Sequence, residues 1–251
     1  MINQFVFIVP SFNNNDWYKL NIDSIINQTY NNWRVIYIDD CSTDDTLINV
    51  QQYVDSKNLN HKFTFIKNSS NIGPAGSRYA AYQQTYDDEI CCMVDGDDFL
   101  YNNDVLSLIN LCYEKGYNAT YGCYYSLINN KIDHYLSPNK NIIPNFLISD
   151  IPYRIRHEWF SMHLRTMRSY LIKDIPLYHL KINNNWIKCC SDMSEGYYVL
   201  ENIKTNILKI NRPTYIYNRD NSIRYPLSYY RSDPEYQIYK NKIYDYVKGL
   251  T

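Results

Sequence analysis

Ile90-Cys-Cys-Met-Val-Asp-Gly-Asp-Asp98 is five apolar residues running straight into three carboxylates. A short apolar run bounded by turn residues fits a strand buried on both faces. The same design recurs upstream. Phe5-Val-Phe-Ile-Val9 ends on Pro10 to Asn15, and Arg34-Val-Ile-Tyr-Ile38 ends on Asp39-Asp40-Cys-Ser-Thr43. Phe63-Thr-Phe-Ile66 precedes Asn71-Ile-Gly-Pro-Ala-Gly76 and a small-residue helix start at Ser77. Between these runs lie helical stripes. Tyr18, Ile22, Ile25 and Ile26 share one face, Leu47, Val50 and Val54 another, and Val105, Leu108, Ile109 and Cys112 a third. Ser42 with Asp45 three residues on predicts a capping box for the second helix. Strands alternating with helices over residues 1–115 predict α/β architecture, a Rossmann-like doubly wound and mostly parallel sheet.

In such a sheet, ligands bind beyond the carboxyl ends of the strands. The polar residues gather there: Ser11 and Asn13 after the first strand, Asp39 and Asp40 after the second, Asp95 to Asp98 after the fourth. Asp and Asn that merely turn the chain account for each loop alone, but not for five Asp on one rim. Two carboxylates 5 Å apart repel by about 3 kcal/mol at an effective dielectric near 20. The cluster therefore calls for a cation. Hard ions such as Mn²⁺ or Mg²⁺ take one or two carboxylates and fill their shells with water and phosphate oxygens, so a metal-bridged diphosphate is the expected occupant.

Composition is that of a globular protein. Over 251 residues, 45% are apolar and 20% charged, with a net charge of −1, which points to neither a nucleic-acid nor a basic membrane surface. The 28 Tyr against 7 Gly fit an AT-rich codon bias. Seven Cys without a Cys-x-x-Cys spacing read as free thiols. A strand-like run from Phe5 and the lack of a long apolar stretch lead us to expect a cytoplasmic protein with no transmembrane segment.

Ile8-Val-Pro-Ser-Phe-Asn13, Ile38-Asp-Asp-Cys-Ser-Thr-Asp44, Asn71-Ile-Gly-Pro-Ala-Gly-Ser-Arg78 and Met93-Val-Asp-Gly-Asp-Asp98 resemble, in order, the four signatures of family 2 GT-A glycosyltransferases. The resemblance implies a GT-A fold and a metal-dependent transfer of a hexose, glucose or galactose first, from a UDP-sugar to a hydroxyl. It also implies roles. Pro10, Phe12, Asn13, Asp39 and Asp40 hold the nucleotide, with Phe12 by the base and Asp40 on the uracil. Gly73, with Pro74 and Gly76, lets backbone approach the donor closely, and Gly96 is counted with the donor-binding residues. Arg78 and Asp95 approach the donor, and Asp97 with Asp98 forms the DXD-type metal end. A guanidinium suits diphosphate oxygens and a carboxylate suits the uracil N3–H. Tyr79 stands where Asn commonly follows this Arg.

The pattern loosens after residue 120. Thr120 to Leu127 and Lys131 to Leu136 read as a hairpin, and Ile207 to Ile210 and Thr214 to Tyr217 as short strands. No linker separates the halves, so a single GT-A catalytic domain is expected, with residues 1–118 binding the nucleotide-sugar and 119–251 the acceptor. His163-Leu-Arg-Thr-Met-Arg168 resembles a His-x-Arg-Thr segment of one branch of the family, which makes His163 a donor-site candidate. Cys190-Ser-Asp192-Met-Ser-Glu195 stands where that family carries an acidic pair, so Asp192 is the candidate base, with Glu195 its substitute or an acceptor contact. Glu158 and Trp159 are acceptor-pocket candidates, while His61, His134 and His179 read as surface or structural and Trp186 as core rather than a sugar platform. The aromatic tail from Tyr225 to Tyr246 would cover a homodimer interface or form an acceptor lid. The expected acceptor is a glycan, a lipid-linked sugar or a glycoprotein, a collagen-like protein included, and the lack of a basic amphipathic helix disfavours the lipid-linked one. Two other readings compete: a sugar nucleotidyltransferase, which the lack of Gly, Lys and Arg in Pro10 to Asn15 disfavours, and a nucleotide-sugar-binding module without turnover.

Overall fold

A computed structural model describes residues 2–134, 163–203, 206–221 and 234–250, with backbone alone for 234–240. The first half alternates as expected: β1 (Phe5–Ser11), α1 (Tyr18–Ile26), β2 (Trp33–Asp39), α2 (Thr46–Ser56), β3 (Phe63–Lys67), α3 (Gly73–Tyr82) and β4 (Ile90–Met93). Then follow β5 (Phe99–Leu100), α4 (Val105–Glu114), β6 (Ala119–Ile128), β7 (Lys131–Asp133) and β8 (Arg165–Arg168). A small β9–β10 ribbon (Lys181–Ile182, Asn185–Trp186), α5 (Ser191–Ile203), β11 (Ile207–Asn218) and α6 (Pro234–Gly249) complete the described elements. The main sheet runs β3-β2-β1-β4-β8-β6-β11-β5, with β7 on β6. β1 to β4 are mutually parallel, β8 is antiparallel to both β4 and β6, and β11 runs parallel to β6.

Side chains alternate across β1 into two cores. Val6 and Ile8 pack with α3, α5 and α6 on one face; Phe5, Phe7 and Val9 pack with α1, α2 and α4 on the other. Burial on both faces is why these strands read as unbroken apolar runs. All seven cysteines are free thiols. Among the described residues no helix is long and apolar enough to cross a membrane.

Several local expectations shift. Ser42 does not cap α2: its hydroxyl accepts from Asn13 N, and Asp44 accepts from Thr46 N at the helix start instead. α3 begins at Gly73, four residues before Ser77, because Gly73 adopts φ +83° and turns the chain into the helix. The hairpin forms between β6 and β7 around Asn129-Asn130, both at positive φ, as a two-residue turn requires; Tyr135 and Leu136 lie outside the described residues. The two strands expected near Arg212 are one bulged strand, β11.

Candidate functional site

Strand order reverses between β1 and β4: β2 and β3 lie to one side of β1, and β4 to the other. The crevice at such a switch point is where an open α/β sheet binds ligand. Here it is a cleft of about 660 Å³ bordered by Pro10, Phe12, Asp40, Gly73, Arg78, Asp95, Asp97, Asp98, His163 and Asp192, among others. The β1 and β4 loops meet at Gly96, where a Cβ would fall 2.7 Å from Ser11 Cβ. Tyr37 and Asn14 both donate to Ser11 Oγ, while Asn221 Nδ2 donates to Asn14 Oδ1 and to Asp97 Oδ2. One chain of hydrogen bonds therefore runs from the sheet interior to Asp97.

The three carboxylates after β4 differ in surroundings. Asp98 is wholly buried; Tyr215 Oη donates to its Oδ2 at 2.8 Å and Asn218 N to its Oδ1 at 2.7 Å. Burial, then Asp97 and Asp95, push its carboxyl well above the usual range. Asp97 is half-buried and lines the cleft; burial raises it to about 6, against the Asn221 hydrogen bond. Asp95 faces Arg78 at 3.6 Å.

Arg78 is a buried cation held from behind. Its Nε donates to both Glu195 oxygens at 3.1 and 3.0 Å, and its Nη2 to Ser191 Oγ at 2.6 Å. Burial alone would lower its pKa, but Glu195 raises it, so the guanidinium stays charged. Glu195 is thus corrected from its expected place: it is 3% exposed, also accepts from Tyr82 Oη, and is committed to Arg78 rather than to an acceptor. Asp192, in the first turn of α5, does reach the cleft, with its side chain 38% exposed and Arg165 Nη1 at 3.5 Å. Burial would raise its pKa, yet Arg165, Arg78 and His163 together lower it. His163 stacks on Tyr215 with ring centroids 4.7 Å apart. Burial, reinforced by Arg165, lowers it to about 4, so it is neutral at physiological pH.

The nucleotide-side residues divide. Pro10 and Phe12 border the cleft, and Gly73 sits against the Lys188 stem there. Asn13 joins the β1 and β2 loops, its Oδ1 accepting from Thr43 N. Asp40 borders the cleft but caps α3: Oδ1 accepts from Ile72 N and Asn68 Nδ2, and Oδ2 from Gly73 N. Asp39 is buried behind the rim, accepting from Ser42 N. Glu158 and Trp159 lie outside the described residues. Trp186 packs against Tyr79 and the core, and His179 is buried. Sequence reasoning gave no individual role to Arg165, Ser191, Tyr215 or Asn218, although Arg165 and Ser191 lie in segments it singled out. Their partners lie more than a hundred residues away (Arg165 excepted), and no local spacing announces them.

A family model described as glycosyl transferase family 2 matches residues 6–173. The chain belongs to that family. Relatives include an Escherichia coli enzyme, WfgD, named as a UDP-Glc:α-D-GlcNAc-diphosphoundecaprenol β-1,3-glucosyltransferase; it is 28% identical over 134 residues, 53% of this chain and 51% of its own. The poly(ribitol-phosphate) β-N-acetylglucosaminyltransferase TarS of Staphylococcus aureus is 29% identical over 192 residues, 67% of this chain and 32% of its own. The chain thus spans about half of the first relative and a third of the second. A crystal structure of TarS residues 1–349 matches with a TM-score of 0.61 at 18% identity, covering 97% of this chain and 70% of that one. A Pyrobaculum calidifontis mannosyltransferase in complex with GDP-Man and Mn²⁺ matches at 0.58, with 14% identity, over 86% of this chain and 56% of its own. The fold is GT-A.

Proposed function

We propose that this family-2 chain transfers a hexose from a UDP-sugar to a hydroxyl of a glycan or glycan-bearing acceptor, glucose and galactose being the favoured sugars and N-acetylhexosamine the next. The observation that carries the proposal is that one switch-point cleft is lined both by a buried, charged Arg78 and by the half-buried Asp97. The names of the relatives agree: WfgD is named for UDP-Glc, and a TarS structure was solved with UDP-GlcNAc.

Among the described residues no three His, Cys, Asp or Glu side chains gather as a metal site, so the metal reading rests on the Asp97 carboxylate, which lines the cleft in the same loop as Asp95; a hard ion such as Mn²⁺ or Mg²⁺ takes one or two carboxylates and fills its shell with water and substrate phosphate oxygens. Asp97 would hold the ion and Asp98 would brace Asp97's loop from beneath, since each Asp98 oxygen already accepts from the protein. When bound, such an ion neutralises charge developing on a leaving diphosphate. The chain's own contribution is Arg78, a preorganised cation at the cleft wall, which stabilises the same charge without reorganisation. Asp192, ionised at neutral pH, takes the acceptor's proton in an inverting transfer, or orients the acceptor in a retaining one. His163 is neutral and serves only as a hydrogen-bonding group.

Calorimetric titration with UDP, with and without Mn²⁺, followed by hydrolysis of UDP-glucose, UDP-galactose and UDP-N-acetylglucosamine, tests the reading. Metal-dependent UDP binding with turnover of one sugar supports it. Binding of GDP or CDP in place of UDP, or of no nucleotide, overturns it.

A further inference from the structure

β8 enters the sheet antiparallel to β4, so its first residues lie at the carboxyl end of β4. Arg165 pairs there with Met93, the last residue of β4, which puts its side chain on the face that α3 and α5 cover. It is 5% exposed and borders the cleft. Its Nη1 lies 3.5 Å from Asp192 Oδ2, while its Nε is buried without a hydrogen-bond partner among the described residues. Buried donors are almost always paired, and an unpaired guanidinium N–H on a residue that borders the cleft is a donor suited to a ligand oxygen.

We propose that Arg165 is the positioning residue of the transfer step: it aims the Asp192 carboxylate and keeps its Nε–H for the oxygen that Asp192 deprotonates. This rests on the glycosyl-transfer reading above. The nucleophile's O–H proton passes to Asp192, its oxygen bonds to the anomeric carbon, and the diphosphate leaves with the bonding pair of the broken C–O bond. Arg165 exchanges no proton. Three groups facing Asp192 set its charge: Arg165 from β8, Arg78 from α3 and His163 from the segment before β8. Arg78 is already committed to Glu195 and Ser191, and His163 is neutral, which leaves Arg165 as the cation for Asp192.

Hydrolysis of the UDP-sugar, with water as the nucleophile, reads this without knowing the acceptor. For Arg165→Gln, kcat should fall at least tenfold, the acid limb of kcat/KM should move up by about one pH unit or more, and UDP affinity should stay within about threefold of wild type. Arg165→Lys restores the charge but not the Nε–H, so its acid limb returns toward wild type while kcat stays low. Within an Asp192→Asn background, Arg165→Lys should cost little more. An unmoved acid limb, or UDP affinity falling in step with kcat, overturns the proposal and places Arg165 in the donor pocket or the core. If Arg165→Gln does not fold, the Lys variant and the wild-type profile decide: a wild-type acid limb above the ordinary carboxylate range also overturns it. Absence of UDP binding by the wild type would instead sink the functional reading itself.

Discussion

Three aspartates that look interchangeable on paper are set apart by what donates to them. Asp97 touches the cleft and Asn221; Asp98 is sealed under Tyr215 and Asn218. Asp97→Asn should therefore remove metal-dependent UDP binding, seen by calorimetry, while the melting temperature of the metal-free protein stays unchanged or rises slightly. Asp98→Asn should instead cost about 1–3 kcal/mol of stability, because an amide offers one acceptor oxygen where two donors converge. Equal melting temperatures for the two variants would show that Asp98 carries no structural load. Asp40 is the third case. It accepts the backbone N–H of Ile72 and Gly73 where α3 begins, and the first N–H groups of a helix have no partner within it. Asp40→Ala should cost about 1 kcal/mol by chemical denaturation, the usual value of a lost helix cap, and should weaken UDP binding as well, since the start of α3 walls the cleft.

At the scale of elements, what the sequence made legible follows from periodicity. β1, β2 and β4 are apolar runs because both faces are covered, and the polar ends of β1 to β4 had to share a rim because parallel strands all finish on the same side. That reasoning puts Asp97 and the β1 loop on one rim, whereas Arg78 follows only from the family resemblance. It did not locate the second ring around them. Tyr215 and Asn218 reach Asp98 only because β11 pairs with β6 across the sheet, and Arg165 reaches Asp192 only because β8 inserts antiparallel between β4 and β6. Pairings of that kind depend on strand order, which no local pattern encodes. Glu195 was misread for the same reason: an acidic residue three after Asp192 looks like a second site carboxylate until α5 is seen to pack it on Arg78. A close meeting of elements that borders the cleft is Gly96 against Ser11. A methyl group there would fall 2.7 Å from Ser11 Cβ and Oγ, so Gly96→Ala must push the β4 loop off the β1 loop. Overpacking of this sort costs about 1–3 kcal/mol; the variant should still fold, with UDP affinity reduced at least tenfold by calorimetry. Affinity equal to wild type would show that the two loops move freely of one another.

The molecule as a whole should carry a pH signature from His163. An unperturbed histidine titrates near 6.5, whereas burial and Arg165 lower His163 to about 4 in the folded chain. The unfolded chain therefore binds a proton between those values that the folded chain refuses. Stability is fully present above pH 6.5 and is lost as pH falls toward 4, where both states are protonated. Asp97 and Glu195, whose folded pKa values are raised, work in the opposite direction, so the wild-type curve alone does not isolate the histidine. His163→Phe does. The ring can keep its stack on Tyr215, and the titrating group is gone. The wild type minus variant difference in urea midpoint, measured from pH 8 down to pH 4, should be flat above about 6.5 and slope steadily below it, with the variant losing less. A flat difference throughout would mean that His163 takes up its proton as readily folded as unfolded, and that it is not held neutral in the cleft.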